Sequence, residues 1–75
     1  MTEKEMLNHV GTRIKEMRNK KKISQDELGR RCSVTKANVS KIEAGKINIT
    51  MRTLCKIVDA LDASVAGVVI DEKSM

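Results

Sequence analysis

The sequence predicts an all-α fold: one small domain of five helices, the fifth of them short or irregular. Apolar residues recur at spacings of three and four, which is the pattern of helices with one buried face. Each apolar stretch follows a Ser or Thr that can cap a helix N-terminus. These caps are Thr2, Ser24, Thr35, Thr50 and Ser64. With 75 residues, 40% of them hydrophobic and none aromatic, the chain can build one compact aliphatic core.

The first predicted helix spans residues 3–21. Its apolar stripe is Leu7, Val10, Ile14 and Met17. Glu3 and Glu5 suit the positive end of the helix dipole, and the lysines at 20–22 suit the negative end. These lysines are interpreted either as a solvated helix end or as contacts to phosphate.

Residues 24–45 are interpreted as two short helices joined by a turn. Ser24 and Glu27 have the spacing of a capping box, which predicts a helix over residues 25–32. A turn follows at Ser33, and a second helix runs from Thr35 to residue 44 before Gly45 stops it. The predicted buried positions are Leu28, Cys32, Val34, Val39 and Ile42. Gly29, inside the first of these helices, indicates a close approach of the second helix.

A further helix is predicted from the cap Thr50 to Leu61. Its buried face is Leu54, Ile57, Val58 and Leu61, with Cys55 adjacent. Asp62 ends this helix, and Ser64 begins a weak fifth element that is rich in β-branched residues. The predicted organisation is one domain over residues 1–70, with the two-helix motif at 24–45 and a disordered tail at 71–75.

The net charge of +5 is unevenly distributed. Residues 13–22 hold six basic residues and one acidic residue, and residues 24–52 hold six basic and three acidic. The remaining segments are slightly acidic. A sequence pI near 9.5 with this asymmetry favours a polyanionic partner over a basic surface that only contacts solvent.

Several classes of function are disfavoured by composition. No apolar run is long enough to span a membrane and no secretory signal is visible, so we expect a cytoplasmic protein without a membrane partner. His9 is the only histidine, and no constellation of nucleophile and base is recognisable, so neither an enzyme nor a metal or other cofactor is expected. Cys32 and Cys55 are both predicted on buried helix faces as reduced cysteines, with a redox pair as an unsupported alternative. The absence of aromatic side chains disfavours recognition of single-stranded nucleic acid by stacking.

The exposed face of the third predicted helix is small, polar and cationic. It carries Thr35, Lys36, Ala37, Asn38, Ser40 and Lys41, with no acid before Glu43. Such a surface can present donors to base edges and phosphates in the major groove of DNA. The alternative is an ordinary solvated helix face.

Three stretches, GTRIKEMR, SQDELGRRCSVTKANVSKIEAGK and ITMRTLCKIVDALDAS, carry a family resemblance. Residues 10–61 resemble the helix-turn-helix domain of the lambda-type repressor and Cro superfamily, also called XRE. The resemblance implies a compact five-helix, lambda repressor-like DNA-binding domain. Ser33, Ile49 and Asp62 stand where that family usually has Gly, Pro and Gly. A left-handed conformation at Ser33 would cost about 1 kcal/mol.

The resemblance also implies roles for individual residues. The base readers would be Lys36, Ala37, Asn38 and Lys41. Gln25 would contact phosphate, and its alternative is an ordinary polar residue at the start of a helix. By their placement around the same face, further phosphate contacts are predicted for Thr35, Ser40, Lys46, Asn48 and Arg52, with capping as the alternative for Thr35 and Ser40. Arg18 would form a structural ion pair with Glu43, with a contact to phosphate as a secondary role; the alternative is two unrelated surface charges. The dimer interface would be Val65, Val68, Val69 and Ile70, although these residues are alternatively read as closing the monomer core or as a strand pairing across a two-fold axis.

We therefore expect a sequence-specific regulator of transcription whose partner is double-stranded DNA. It would bind as a homodimer to two half-sites about 34 Å apart, one turn of the duplex. The alternative is an antitoxin-type or other interaction module whose main partner is a protein.

Overall fold

The computed structural model describes residues 1–69, which fold into five α-helices with no strand among them. The helices are α1 (Glu3–Lys20), α2 (Gln25–Cys32), α3 (Lys36–Glu43), α4 (Met51–Ala60) and α5 (Val65–Val69). The predicted all-α, five-helix fold is confirmed, and the weak fifth element is a helix. Ile70 and the predicted tail at 71–75 lie outside the described residues. No helix within residues 1–69 is long and apolar enough to cross a membrane.

All five predicted caps accept a hydrogen bond from a backbone N–H three residues later. The hydroxyls involved are those of Thr2, Ser24, Thr35, Thr50 and Ser64. The complete capping box belongs to Thr2 and Glu5, because the Glu5 carboxylate also accepts from the Thr2 N–H. The predicted box at Ser24 is only half present. The Glu27 carboxylate binds Arg30 and Arg31 one turn ahead on the same helix instead.

Three non-glycine residues lie in the left-handed region at the ends of helices. Ser33 (φ 60°) ends α2 and Asp62 (φ 53°) follows α4, at two of the positions where the resembling family has glycine. Lys22 (φ 58°) follows α1. Gly45 (φ 70°) ends α3 as predicted, at no steric cost. The chain therefore makes three of its four helix-ending turns with residues that tolerate this conformation less well than glycine.

The five helices enclose one core: α3 packs against α2 and α1, α4 packs against α2, and α5 packs against α1 and α4. Its buried residues are Val10, Ile14, Leu28, Cys32, Val39, Ile42, Leu54, Ile57, Val58, Leu61 and Val68. Val34, predicted to be buried between the helices, is only partly buried. The prediction for Cys55 is wrong, because this residue is exposed. One residue beyond Leu54 on a helix is a rotation of about 100°, which carries Cys55 away from the stripe that faces the core.

Two glycines permit close backbone contacts. A Cβ atom at Gly11 would meet the Ile42 carbonyl and would lie 2.7 Å from the Glu43 carbonyl oxygen, so α1 crosses α3 there at minimal distance. A Cβ atom at Gly29 would collide with the carbonyl of Val34. Gly29 is predicted to make room for the next helix; the nearest group is this turn carbonyl, and the Val39 side chain of α3 lies 3.4 Å from the Cβ position.

Candidate nucleic-acid interface

The exposed surface of α3 is centred on Ala37 and Lys41. Only Val39, Ile42 and Glu43 of this helix are buried. At 3.6 residues per turn, Ala37 and Lys41 lie opposite that buried face, and Ala44 lies beside them one turn later. Ala44 is exposed at the C-cap of α3. It is a further surface residue beyond those predicted from the sequence. The centre of the outward face is therefore small, with one long cation.

The other predicted base readers lie on the two flanks of α3. Lys36 is exposed on the side of α3 that also carries Glu43, two turns later. Asn38 is exposed on the other side, which also carries Ile42 one turn later. Ser40 is exposed between Lys36 and Ala44. The side chains predicted to read bases thus span both edges of one helix rather than a single row.

Asn38 borders a cleft of about 270 Å³ between α3 and the loop that leads to α4. Four partly or fully buried apolar residues line it: Val34, Ile42, Ile47 and Ile49. Polar residues also line it: Ser33, Thr35, Asn38, Asn48, Thr50 and Thr53. The cleft brings Asn38 and Asn48, predicted for base and phosphate contacts, to one site. The Thr35 and Thr50 hydroxyls in its wall already accept backbone hydrogen bonds as helix caps.

Every basic residue between 36 and 52 is free of ion pairs among the described residues. These are Lys36, Lys41, Lys46 and Arg52, and all four are exposed. The cations that do form ion pairs lie on α1 and α2 or directly after α1: Arg13, Arg18, Lys21, Arg30 and Arg31. Glu43 is the only acid between 36 and 52, and Arg18 neutralises it. The α3 side of the molecule therefore presents uncompensated positive charge.

The ion pair predicted between Arg18 and Glu43 is present and buried. Arg18 donates from Nε to Glu43 Oε2 at 2.6 Å and from Nη2 to Oε1 at 3.0 Å, which is the bidentate geometry. Arg18 Nη1 donates to the Ile23 carbonyl at 2.9 Å. The hydrogen bond to Glu43 raises the pKa of Arg18, so the guanidinium stays charged. All three of its nitrogen atoms are engaged inside the protein, which disfavours a second role at phosphate.

Gln25 is held by the same carboxylate. Its Nε2 donates to Glu43 Oε1 at 3.1 Å, and its side chain is half-buried at the first position of α2. Sequence reasoning had treated Gln25 as a separate phosphate contact. The contact between Gln25 and Glu43 depends on how α2 meets the end of α3, for which no local sequence signal exists.

The residues predicted as a dimer interface differ in exposure. Val68 is 0% exposed and belongs to the core, so its assignment to an interface is corrected: none of its surface is left for a partner. Val65 and Val69 are partly buried and pack against the core. Ala66 is the exposed residue of α5.

No group of His, Cys, Asp or Glu residues within positions 1–69 has the composition of a metal site. The Cys32 thiol donates to the Lys56 carbonyl at 3.6 Å and joins α2 to α4. Burial raises the pKa of the Cys32 thiol, which disfavours the reactive thiolate.

Comparison with known proteins gives consistent matches. The HTH_3 family, described as Helix-turn-helix, matches residues 14–68. The solved structure of the clp gene regulator ClgR from C. glutamicum is 26% identical, with a TM-score of 0.86 over 92% of this chain and 88% of that chain. The restriction-modification controller protein C.AhdI from Aeromonas hydrophila is 29% identical, with a TM-score of 0.75 over 77% of this chain and 88% of that chain. No curated protein matches the sequence.

Proposed function

The chain belongs to the HTH_3 helix-turn-helix family of DNA-binding transcription regulators, and from that premise we propose that it binds a two-fold symmetric operator as a homodimer and reads its sequence through α3. This proposal rests on one observation. The exposed face of α3 carries small side chains, and the four cations on it and beside it form no ion pair among residues 1–69. The N-terminal part of such a helix enters the major groove in proteins of this architecture.

The proposed base contacts are divided by chemistry. Lys36 and Lys41 can donate to guanine O6 or N7, and Asn38 can pair with adenine. Ala37 can pack against a thymine methyl group.

The proposed phosphate contacts surround this face. Lys46 and Arg52 supply charge on the α4 side, and Asn48 supplies an amide beside the cleft. Thr35 and Ser40 complete the set on α3, and Gln25 lies at the start of α2. Such contacts fix the orientation of the protein on the duplex without reading sequence.

The first experiment is selection of binding sites from a random duplex library with the purified protein, followed by a salt titration on the selected site. We expect a two-fold symmetric motif with half-sites one helical turn apart and a steep loss of affinity with salt. Enrichment of no motif would reduce the protein to a nonspecific DNA binder. Complete absence of binding would favour the alternative in which a protein is the main partner.

Two lysine variants separate base reading from phosphate contact. Lys36→Ala should cost about 1–3 kcal/mol of binding free energy and relax preference at particular base pairs, whereas Lys46→Ala should weaken all sequences alike. Lys56→Ala removes the same charge from an exposed α4 position near Cys32 and is the matched control. Equal losses for Lys36→Ala on all sequences would turn Lys36 into a phosphate contact.

The homodimer is tested at α5. Ala66 is exposed, so Ala66→Asp leaves the monomer core intact while placing charge on the proposed interface. We expect sedimentation equilibrium to give a dimer for the wild-type chain and a monomer for the variant. An unchanged dimer would locate the interface elsewhere.

A further inference from the structure

Resting on the proposed function, we infer that Arg18 and Glu43 are positioning residues that aim the amide of Gln25 at the DNA backbone. One nitrogen atom, Gln25 Nε2, would bridge the buried carboxylate of the protein and a phosphate of the duplex. The ion pair would then act on DNA affinity through Gln25, in addition to joining α1 to α3.

The geometry ties three helices to one carboxylate. Glu43 Oε1 accepts from Arg18 Nη2 at 3.0 Å and from Gln25 Nε2 at 3.1 Å, while Oε2 accepts from Arg18 Nε at 2.6 Å. The Glu43 side chain is 3% exposed, so this acceptor is fixed in place. Arg18 also holds the carbonyl of Ile23, two residues before Gln25. Both the backbone that leads into α2 and the first side chain of α2 are therefore set by the same pair.

The chemistry of the carboxylate decides which end of the Gln25 amide faces outward. An ionised carboxylate only accepts hydrogen bonds, so the amide must turn its NH₂ group, not its oxygen, toward Glu43. A phosphate also only accepts. The second N–H on Nε2 is then the one side-chain donor that Gln25 has left for the duplex, and the direction of this donor follows from the bond to Glu43.

Arg18 is needed for the charge as well as for the geometry. An uncompensated carboxylate behind a phosphate contact would repel the duplex, and this repulsion would be strong because Glu43 is buried and poorly screened. The bidentate guanidinium neutralises the carboxylate. Gln25 can therefore lie between two anionic groups, the carboxylate and the phosphate, as a double donor.

A double-mutant cycle on the selected duplex tests the coupling. The Kd penalty of Gln25→Ala is measured in the wild-type chain and in the Arg18→Met/Glu43→Met background, which replaces a buried ion pair with apolar side chains, an exchange that proteins often tolerate. We expect about a tenfold loss of affinity in the wild-type chain, because a hydrogen bond to a charged group is worth about 1.4 kcal/mol or more. In the apolar background we expect the loss to fall below about threefold.

Lys46→Ala is the matched control, because Lys46 is an exposed proposed phosphate contact with no bond to the network. Its penalty should be equal in both backgrounds. If the ion pair were purely structural, replacing it would change the thermal stability but leave the Gln25→Ala penalty equal in both backgrounds, and that result would overturn the inference. The inference would also be overturned if Lys46→Ala weakens DNA binding of the otherwise wild-type chain while Gln25→Ala does not. If the wild-type chain binds no duplex, the proposed function itself fails.

NMR on the wild-type chain gives a test that does not depend on folding of the variants. The side-chain amide proton of Gln25 that is bonded to Glu43 should be shifted away from the position of a solvated glutamine, and it should exchange slowly with water in the free protein. Addition of the selected duplex should shift the other proton. Two Gln25 amide protons that both have the chemical shifts and the water-exchange rates of a solvated glutamine would contradict the inference.

Discussion

Two arginines on α1 hold two other helices in different ways. Arg18 binds the buried carboxylate of Glu43 at the end of α3, beside the contact that Gly11 permits between the two backbones. Arg13 donates to a single backbone carbonyl, that of Gly67 in α5, at 3.4 Å from Nε and 3.2 Å from Nη2. The first attachment combines charge, burial and close packing, and the second is a long, partly exposed hydrogen bond.

The difference indicates where the fold is rigid. The helix proposed to read DNA is fixed to α1 before any duplex binds, so recognition does not require it to be ordered first. The five residues of α5 are held by Val68 in the core, by the partly buried Val65 and Val69, and by the Arg13 contact. The α5 end of the molecule, which is the proposed dimer interface, is thus attached to α1 more weakly than α3 is.

The largest expected effect is at the α1–α3 attachment. Glu43→Ala should lower the free energy of unfolding by about 3–5 kcal/mol, because it leaves the buried guanidinium of Arg18 without a counter-charge and with only the Ile23 carbonyl as an acceptor. Urea denaturation followed by circular dichroism measures this. Glu16→Ala, which removes an exposed carboxylate from α1, is the control and should have little effect. A loss below about 1 kcal/mol for Glu43→Ala would mean that water replaces the carboxylate and that this attachment is no stronger than the one at α5.

The second effect concerns the close contact at Gly11. Gly11→Ala should lower the free energy of unfolding by about 1–3 kcal/mol, although alanine favours helices, because the new methyl group would push the Glu43 carbonyl away. Thr12→Ala, one exposed residue further along α1, should be neutral or slightly stabilising. The same denaturation measurement applies. If Gly11→Ala instead raises the free energy of unfolding, α1 and α3 can move apart enough to accept the methyl group without loss of stability.

Sequence reasoning was most successful where the physical signal is local. Each helix start was predicted because a hydroxyl cap acts on an N–H group three residues away, and the core stripes follow from helical periodicity. The family resemblance predicts the Arg18–Glu43 pair, and the structure confirms it. The base-reading and phosphate assignments remain predictions.

The features that the sequence does not predict depend on competition between alternative hydrogen-bond partners or on the angles at which the helices pack. Glu27 had two possible partners, the Ser24 backbone and the arginines one turn ahead, and their relative strength is not visible in the spacing. The Gln25–Glu43 bond and the cleft beside Asn38 require the orientation of α3 against its neighbours. Cys55 follows Leu54 directly, about 100° further around α4, and its exposure depends on how α4 is oriented against the core.

A smaller effect is expected at the attachment of α5. Arg13→Ala should lower the free energy of unfolding by about 1 kcal/mol, because the Gly67 carbonyl can bind water in place of the guanidinium. The change should appear first as faster amide exchange in α5, with exchange in α3 unaffected. Lys15→Ala, an exposed cation two residues further along α1, is the control. Equal acceleration in α3 and α5 would indicate that the two ends unfold together.

The smallest effect concerns the ion pair at the start of the α4–α5 turn. The Lys21 ammonium lies 2.8 Å from Asp62 Oδ2, and this hydrogen bond and charge, with a further contribution from Arg31, hold the pKa of Asp62 below its usual value. Because the pKa in the folded state is the lower one, the contribution to stability is present above the ordinary pKa of an aspartate and is lost as the pH falls through the folded value. NMR titration of Lys21→Ala should return the pKa of Asp62 toward its usual value, whereas Lys20→Ala should not. Since the Asp62 side chain is 82% exposed, about 1 M salt should remove most of the shift in the wild-type chain, whereas the buried Arg18–Glu43 pair should be much less sensitive. If the pKa of Asp62 stays low both in Lys21→Ala and at high salt, groups other than this exposed ion pair must stabilise the ionised carboxylate.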